Sequence, residues 1–106
     1  MKLSIITVCF NSVATLRDTI ESVLTQNYSR IEHIIIDGGS TDGTIELIKE
    51  YAAKPESKIV NWVSESDRGI YDAMNKGIRL ASGDVIGFLN SDDMYANAHA
   101  LSELMG

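Results

Sequence analysis

The sequence holds a single cysteine, Cys9, and two histidines in 106 residues. One thiol cannot close an intrachain disulfide, and without a second Cys or a Cys/His cluster there is no structural zinc site to expect. A reducing cytosol suits such a chain best. Basic residues are scarce too: nine Lys and Arg stand against fifteen Asp and Glu, for a formal charge of −6. Nucleic-acid surfaces rely on clustered cations, so this balance disfavours one and points to cations or sugars as ligands. Long apolar runs are also missing. The segment from Leu3 to Phe10 is interrupted by Ser4 and Thr7, and it lacks the apolar stretch and small-residue cleavage site of a signal peptide. No stretch approaches the roughly 20 apolar residues that span a bilayer, so stable membrane insertion is not expected. Neither a repeat nor a low-complexity linker is present.

What remains is ordinary for a folded chain. The hydrophobic fraction of 44% and charged fraction of 23% predict a packed core, and the length allows one domain, residues 1–106. Lys2 to Val8 carries Ile5, Ile6 and Val8 in a short apolar run, the composition of a strand buried on both faces. After Asn11 and Ser12 the period changes. Val13, Leu16, Ile20, Val23 and Leu24 form a helical stripe, with Arg17, Asp18, Glu21 and Thr25 facing away, and Arg17 can pair with Glu21 four residues on. The alternation recurs: a strand over Ile31 to Ile36, a helix from Thr44 to Ala53, a strand over Ile59 to Val63 and a helix over Gly69 to Ala81. A strand over Val85 to Leu89 and a helix over Asn97 to Met105 complete it. Strict alternation predicts a doubly wound α/β fold with a predominantly parallel sheet and helices on both faces. Such sheets bind ligands beyond the carboxyl ends of their strands, where the strand order reverses.

Those ends are acidic. Asp37 and Asp42 follow the second strand, Glu65 and Asp67 the third, and Asp92 and Asp93 the fourth. Carboxylates gathered along one edge repel, so bound cations or hydroxyl-rich ligands explain the cluster better than stability does. Asp42, just before a helix, fits a capping role. The glycines of Asp37-Gly38-Gly39-Ser40-Thr41-Asp42-Gly43 suit a tight turn, and no G-x-G-x-x-G follows the first strand, which counts against a dinucleotide fold. Asp92 and Asp93 have no capping need. A divalent cation completed by substrate phosphates and a solvated acidic turn both account for them. In the segment from Asp67 to Gly77, Asp72 and Lys76 are spaced for an ion pair, Arg68 and Lys76 could meet a diphosphate with Arg68 better placed, and Ile70, Met74 and Ile78 read as core. Cys9 reads as a small buried hydrophobe, and His33 and His99 as structural or exposed.

Taken together, Ser4 to Asn11, Ser22 to Gln26, Asp37 to Thr44, Asn75-Lys76-Gly77, Ala81-Ser82-Gly83-Asp84 and Leu89-Asn90-Ser91-Asp92-Asp93 resemble, in order and spacing, the nucleotide-sugar-binding half of inverting family 2 glycosyltransferases. The resemblance runs essentially end to end. It implies a Rossmann-like GT-A fold and transfer of a hexose-like sugar from a nucleotide-diphospho-sugar to a glycan or lipid-linked acceptor, with inversion, in bacterial polysaccharide biosynthesis. It implies that Val8, Phe10 and Asn11 lie against the base, and that Asp37 and Asp67 help hold base and ribose. Arg68 joins the donor site. Asp92 and Asp93 match the DXD-type element that holds the metal, with Asp93 binding the Mg²⁺ or Mn²⁺ that bridges the donor diphosphate and Asp92 also approaching the ribose. Gly38 stands where many relatives carry a second acid, which leaves the base identity open. The resemblance places the catalytic base and acceptor elements in a C-terminal half beyond Gly106, so a truncated chain that binds donor is expected, with no catalytic residue of its own. It also leaves the fourth strand without its usual neighbour, an exposed edge open to self-association. A cytoplasmic location, including the periphery of the inner membrane face, goes with this reading. The competing reading is a non-catalytic nucleotide-binding or assembly module of the same fold. A receiver-type phosphotransfer domain fits poorly, since its acids follow the first strand, where Cys9, Phe10 and Asn11 stand here.

Overall fold

The computed structural model describes residues 1–66, 68–92, 94 and 100–105. Strands and helices alternate as β1 (Leu3–Cys9), α1 (Val13–Leu24), β2 (Ile31–Asp37), α2 (Thr44–Ala52), β3 (Ile59–Ser64), α3 (Ile70–Leu80), β4 (Val85–Phe88) and α4 (Ala100–Met105). Every strand pairing is parallel, in the order β3-β2-β1-β4. The α/β class and the parallel sheet therefore stand as the alternation predicted. Residues 97–99, expected to open the last helix, lie outside the described residues, as does His99.

Burial follows position in the sheet. All of β2 is buried, whereas β3 and β4, at the two edges, are half-buried or exposed. Because side chains alternate, one face of the central strands presents Leu3, Ile5, Cys9, Ile31 and Ile35 to α1 and α2, where Leu16, Ile20, Val23, Leu47 and Ile48 close the core. The opposite face presents Ile6, Ile34 and Ile36 to α3. Two details of α1 depart from its expected stripe: Val13 is 39% exposed, and the polar Thr19 is buried in its place. Arg17 does not pair directly with Glu21. Tyr51 stands between them, its hydroxyl receiving a hydrogen bond from Arg17 and donating one to Glu21.

The expected core face of α3 needs correction. Ala73 and Gly77 are its buried residues, while Ile70 and Ile78 are 55% and 44% exposed. The cause is close approach: a Cβ on Gly77 would lie 2.4 Å from Cγ2 of Ile6, so only small side chains fit between helix and strand.

At the amino-terminal edge of the sheet, a polar latch joins β1, β2 and β4. Glu32 accepts hydrogen bonds from the Ser4 hydroxyl and from the amide and hydroxyl of Ser82, and it lies 3.4 Å from the Lys2 ammonium. Burial alone would raise this carboxyl, but the donors and Lys2 bring it down to about 2. Gly83 completes the latch by donating to the Ser4 hydroxyl. A neighbouring polar pair, Thr7 and His33, lies inside the sheet at 2.8 Å, and burial pushes His33 down to about 3, so the ring is neutral.

Candidate functional site

The strand order reverses between β1 and β4, and the crevice lies at the carboxyl ends of these strands, where parallel sheets place their ligands. It is a cleft of about 460 Å³. One wall is the end of β1 and the turn into α1, with Val8, Cys9, Phe10 and Ser12; the other is the start of α3, with Gly69, Ile70 and Ala73. Gly38, after β2, and Ser91, after β4, line it between them. Phe10 is 60% exposed, an aromatic face that the core does not use.

Asp37 fixes the loop after β2. Its carboxylate accepts from the amides of Gly39 and Ser40 at 3.0 and 2.8 Å, from the hydroxyls of Ser40 and Ser64, and from the Cys9 thiol at 3.5 Å. The residue is fully buried. Burial opposes the charge, and the hydroxyl and amide of Ser40 with the Ser64 and Cys9 donors outweigh it, so the carboxyl sits below its ordinary value. Gly39, at φ 92°, supplies the left-handed turn that aims those amides inward. Asn11 then ties this loop to the one after β1. Its amide donates to the Ser40 hydroxyl and its side-chain oxygen accepts from the Thr41 amide, with Asn11 itself at φ 47°, a conformation Asn tolerates.

Asp42 serves two helix starts at once, accepting from the amide and hydroxyl of Thr44 and from the Val13 amide. These bonds, the Thr44 hydroxyl first, lower its pKa. The capping expectation is thereby met. Glu65 is 3.0 Å from the Lys76 ammonium, which also lies 3.7 Å from Asp72 and is itself mostly buried. The expected Asp72–Lys76 pair is present. Arg68 is exposed and immediately precedes the cleft-lining Gly69 in the sequence.

The acidic edge is thus less uniform than the sequence suggested. Asp37 is buried with its donors, while Asp42 and Glu65 are exposed and engaged by Thr44, Val13 and Lys76, so intramolecular partners account for part of the cluster that ligands were expected to explain. Asp92, one residue beyond the cleft-lining Ser91, is exposed and takes no hydrogen bond or ion pair from the described residues. Asp67 and Asp93 lie outside the described residues. No three His, Cys, Asp or Glu side chains among the described residues converge as a metal cage.

Of the residues expected at the site, Val8 and Phe10 line the cleft, Arg68 and Asp92 adjoin lining residues, and Asn11 and Asp37 hold the loops that shape it. Sequence reasoning missed Ser12, Gly38, Gly69, Ala73 and Ser91 as lining residues. Small residues at strand-to-helix turns were the available signal, since they leave room where larger ones close it. It also treated Ile70 as core, and the structure turns it to the cleft.

Comparison with known proteins gives a consistent result. The family model described as glycosyl transferase family 2 matches residues 4–106. An uncharacterised glycosyltransferase of Mycobacterium tuberculosis is 44% identical over 101 residues, covering 94% of this chain and 37% of that protein. A glycosyltransferase of PGL/p-HBAD biosynthesis from Mycobacterium bovis is 34% identical over 101 residues, covering 95% of this chain and 39% of that one. The chain therefore spans less than two fifths of the length of these curated relatives. Among solved structures, Staphylococcus aureus TarS 1–349 in complex with UDP-GlcNAc superposes with a TM-score of 0.87 at 23% identity, over 99% of this chain and 30% of that one. The mannosyltransferase PcManGT of Pyrobaculum calidifontis, in complex with GDP-Man and Mn²⁺, gives 0.84 at 23% identity, over 92% and 29%. Both likenesses establish the fold, that of GT-A glycosyltransferases.

Proposed function

Because the chain belongs to glycosyl transferase family 2, we propose that its cleft binds a nucleotide-diphospho-sugar and forms the donor side of a sugar transfer with inversion to a glycan or lipid-linked acceptor, in bacterial polysaccharide biosynthesis. The observation that carries this reading is Asp92. Of the four described acids that follow the strands at the carboxyl edge of the sheet, three are bonded to other residues of the chain, and Asp92, next to the cleft-lining Ser91, has no hydrogen bond or ion pair among the described residues. An available carboxylate with a second acid beside it in the sequence suits Mg²⁺ or Mn²⁺, which take one or two protein carboxylates and complete their shell with phosphate oxygens and water. Asp92 and Asp93 would hold the ion, whose chemistry is to neutralise charge on the departing diphosphate.

The chain's own groups supply the rest. Phe10 offers its face to the base, with Val8 and Gly38 beneath. Asp37 and Asp67 help hold base and ribose, Asp37 through the loop it fixes, and Asn11 locks that loop to the turn after β1. Arg68 meets the diphosphate from the start of α3. Support for this donor class comes from the solved relatives holding UDP-GlcNAc and GDP-Man. The base that takes the acceptor proton belongs to polypeptide of the kind the longer relatives carry outside the matched part, and the setting is cytoplasmic.

One surface feature bears on assembly. Val85 and Leu89 donate their amides toward β1, so the backbone groups of Ile86 and Phe88 face the open edge, and their side chains are 40% and 45% exposed. No charge or proline guards β4. Antiparallel pairing about Gly87 would set Ile86 opposite Phe88 of a second copy, and this self-complementary register makes a second copy of the chain the proposed occupant.

Calorimetric titration with UDP and GDP, with and without Mn²⁺, tests the donor site. Binding that requires Mn²⁺ and is lost in Asp92→Ala is expected. Absence of binding by the folded chain, or equal binding by the variant, rejects it and favours a non-catalytic module.

A further inference from the structure

The turn that carries Asp92 is tied to helix α1 and to the residue that precedes it. Thr19 is buried at 1% exposure, and its hydroxyl lies 3.0 Å from the carbonyl oxygen of Ser91. The usual alternative for a helical Thr is the carbonyl four residues back, and here that bond, to Thr15, is longer at 3.5 Å. Of these two contacts the one with Ser91 is the shorter. Ser12 makes a second tie, its hydroxyl 3.0 Å from that of Ser91. Ser12 is itself anchored, its amide donating to the Thr44 hydroxyl that also donates to Asp42.

We propose that Thr19 and Ser12 are positioning residues for the acidic turn, holding Ser91 by both its carbonyl and its hydroxyl so that the next residue, Asp92, meets a divalent cation and the donor diphosphate in a fixed geometry. This rests on the reading of Asp92 as a donor-site carboxylate. A polar side chain costs stability on the apolar stripe of a helix unless its bond is used, and the bond used here leads to the turn rather than to the core. Groups that orient metal-binding carboxylates commonly set affinity by tenfold or more. Thr19 is not among the residues that line the cleft and acts through Ser91, while Ser12 reaches Ser91 from the cleft wall.

The test compares Mn²⁺-dependent UDP affinity in the wild-type chain, Thr19→Val, Thr19→Ser and Ser12→Ala, with urea unfolding of each as the control for fold. Thr19→Val keeps the shape and removes the donor. The expected result is affinity weakened roughly tenfold in Thr19→Val, restored in Thr19→Ser, and weakened in Ser12→Ala, with all variants folded at the titration temperature. Wild-type binding that Thr19→Val leaves unchanged overturns the positioning role while the donor site stands. Failure of Thr19→Ser to restore affinity overturns it too, since the hydroxyl would then not be the active group. No binding by the folded wild type removes the donor site, and the positioning role with it.

Discussion

Gly77→Ala is the most searching single substitution in this fold. On an exposed helix, replacing Gly with Ala stabilises by about 1 kcal/mol, because the unfolded chain loses freedom and the helix gains a better former. At position 77 the added carbon would stand 2.4 Å from Cγ2 of Ile6, with Cδ1 and Cγ1 at 3.1 and 3.2 Å. Ile6 is 1% exposed in the middle of β1 and has nowhere to turn, so α3 must move off the sheet. Overpacking of this kind costs about 1–3 kcal/mol. A contact as short as 2.4 Å belongs in the upper part of that range, about 2–3 kcal/mol, which exceeds the propensity gain and leaves a net loss of about 1–2 kcal/mol by urea unfolding. The displacement also carries Gly69 and Ala73, which wall the cleft, and so weakens nucleotide binding. Ile6→Ala alone should cost about 2–5 kcal/mol by leaving a cavity. In the double variant the new methyl occupies part of that cavity, and the two losses should fall short of their sum by about 1 kcal/mol or more. Strict additivity, or a Gly77→Ala chain as stable as the wild type, would refute the close approach of α3 to β1.

Acid should unfold the chain in two windows. His33 is neutral in the fold, at about 3 against an ordinary 6.5, so its contribution is present above pH 6.5 and is lost as pH falls toward 3, because the unfolded ring takes up the proton first. Glu32, at about 2 against 4.5, contributes about 3 kcal/mol above pH 4.5 that is lost as pH falls toward 2. Melting temperature against pH should therefore lose its lower window in Glu32→Gln and keep the upper one. An unchanged profile would contradict the latch. Asp37→Asn places a donor among the donors of Ser40, Gly39 and Ser64, and a loss of about 1–3 kcal/mol is expected in urea, together with weaker nucleotide binding. Sedimentation should show the chain associating as its concentration rises, with Ile86→Lys returning it to monomer. A wild-type chain that stays monomeric throughout rules out pairing at the β4 edge.

The framework was legible in the sequence because apolar residues dictate it. Ile5, Ile6 and Ile34 to Ile36 mark the central strands, and the stripe of Leu16, Ile20 and Val23 marks the first helix. Periodicity finds large residues, however, and α3 packs through small ones. Ala73 and Gly77 carry no hydrophobic signal, and Ile70, which does, faces the cleft. The acids were legible as an edge, since each follows a strand. Which of them are free was not, because that depends on donors contributed by distant segments: Ser64 to Asp37, Val13 to Asp42, Lys76 to Glu65. The Glu32 latch follows the same rule. A charged residue inside an otherwise apolar strand was the available hint, and its partners Lys2 and Ser4, near the N-terminus, and Ser82, ahead of β4, come from two distant parts of the chain. Thr19 was hidden by its position in a stripe read for apolar residues alone.

The central claim is that the crevice between the ends of β1 and β4 receives a nucleotide whose diphosphate meets a metal beside Asp92. Mn²⁺ is paramagnetic, and the nuclei nearest to it lose their signals. Amide resonances of the ¹⁵N-labelled chain, recorded as Mn²⁺ and UDP or GDP are added together, therefore map the ion directly. The account predicts that broadening centres on Ser91 and Asp92 and extends to Gly69 and Phe10, while the latch residues Glu32 and Gly83, at the far edge of the sheet, stay sharp. Broadening centred elsewhere, or none at all with the fold intact, would contradict it.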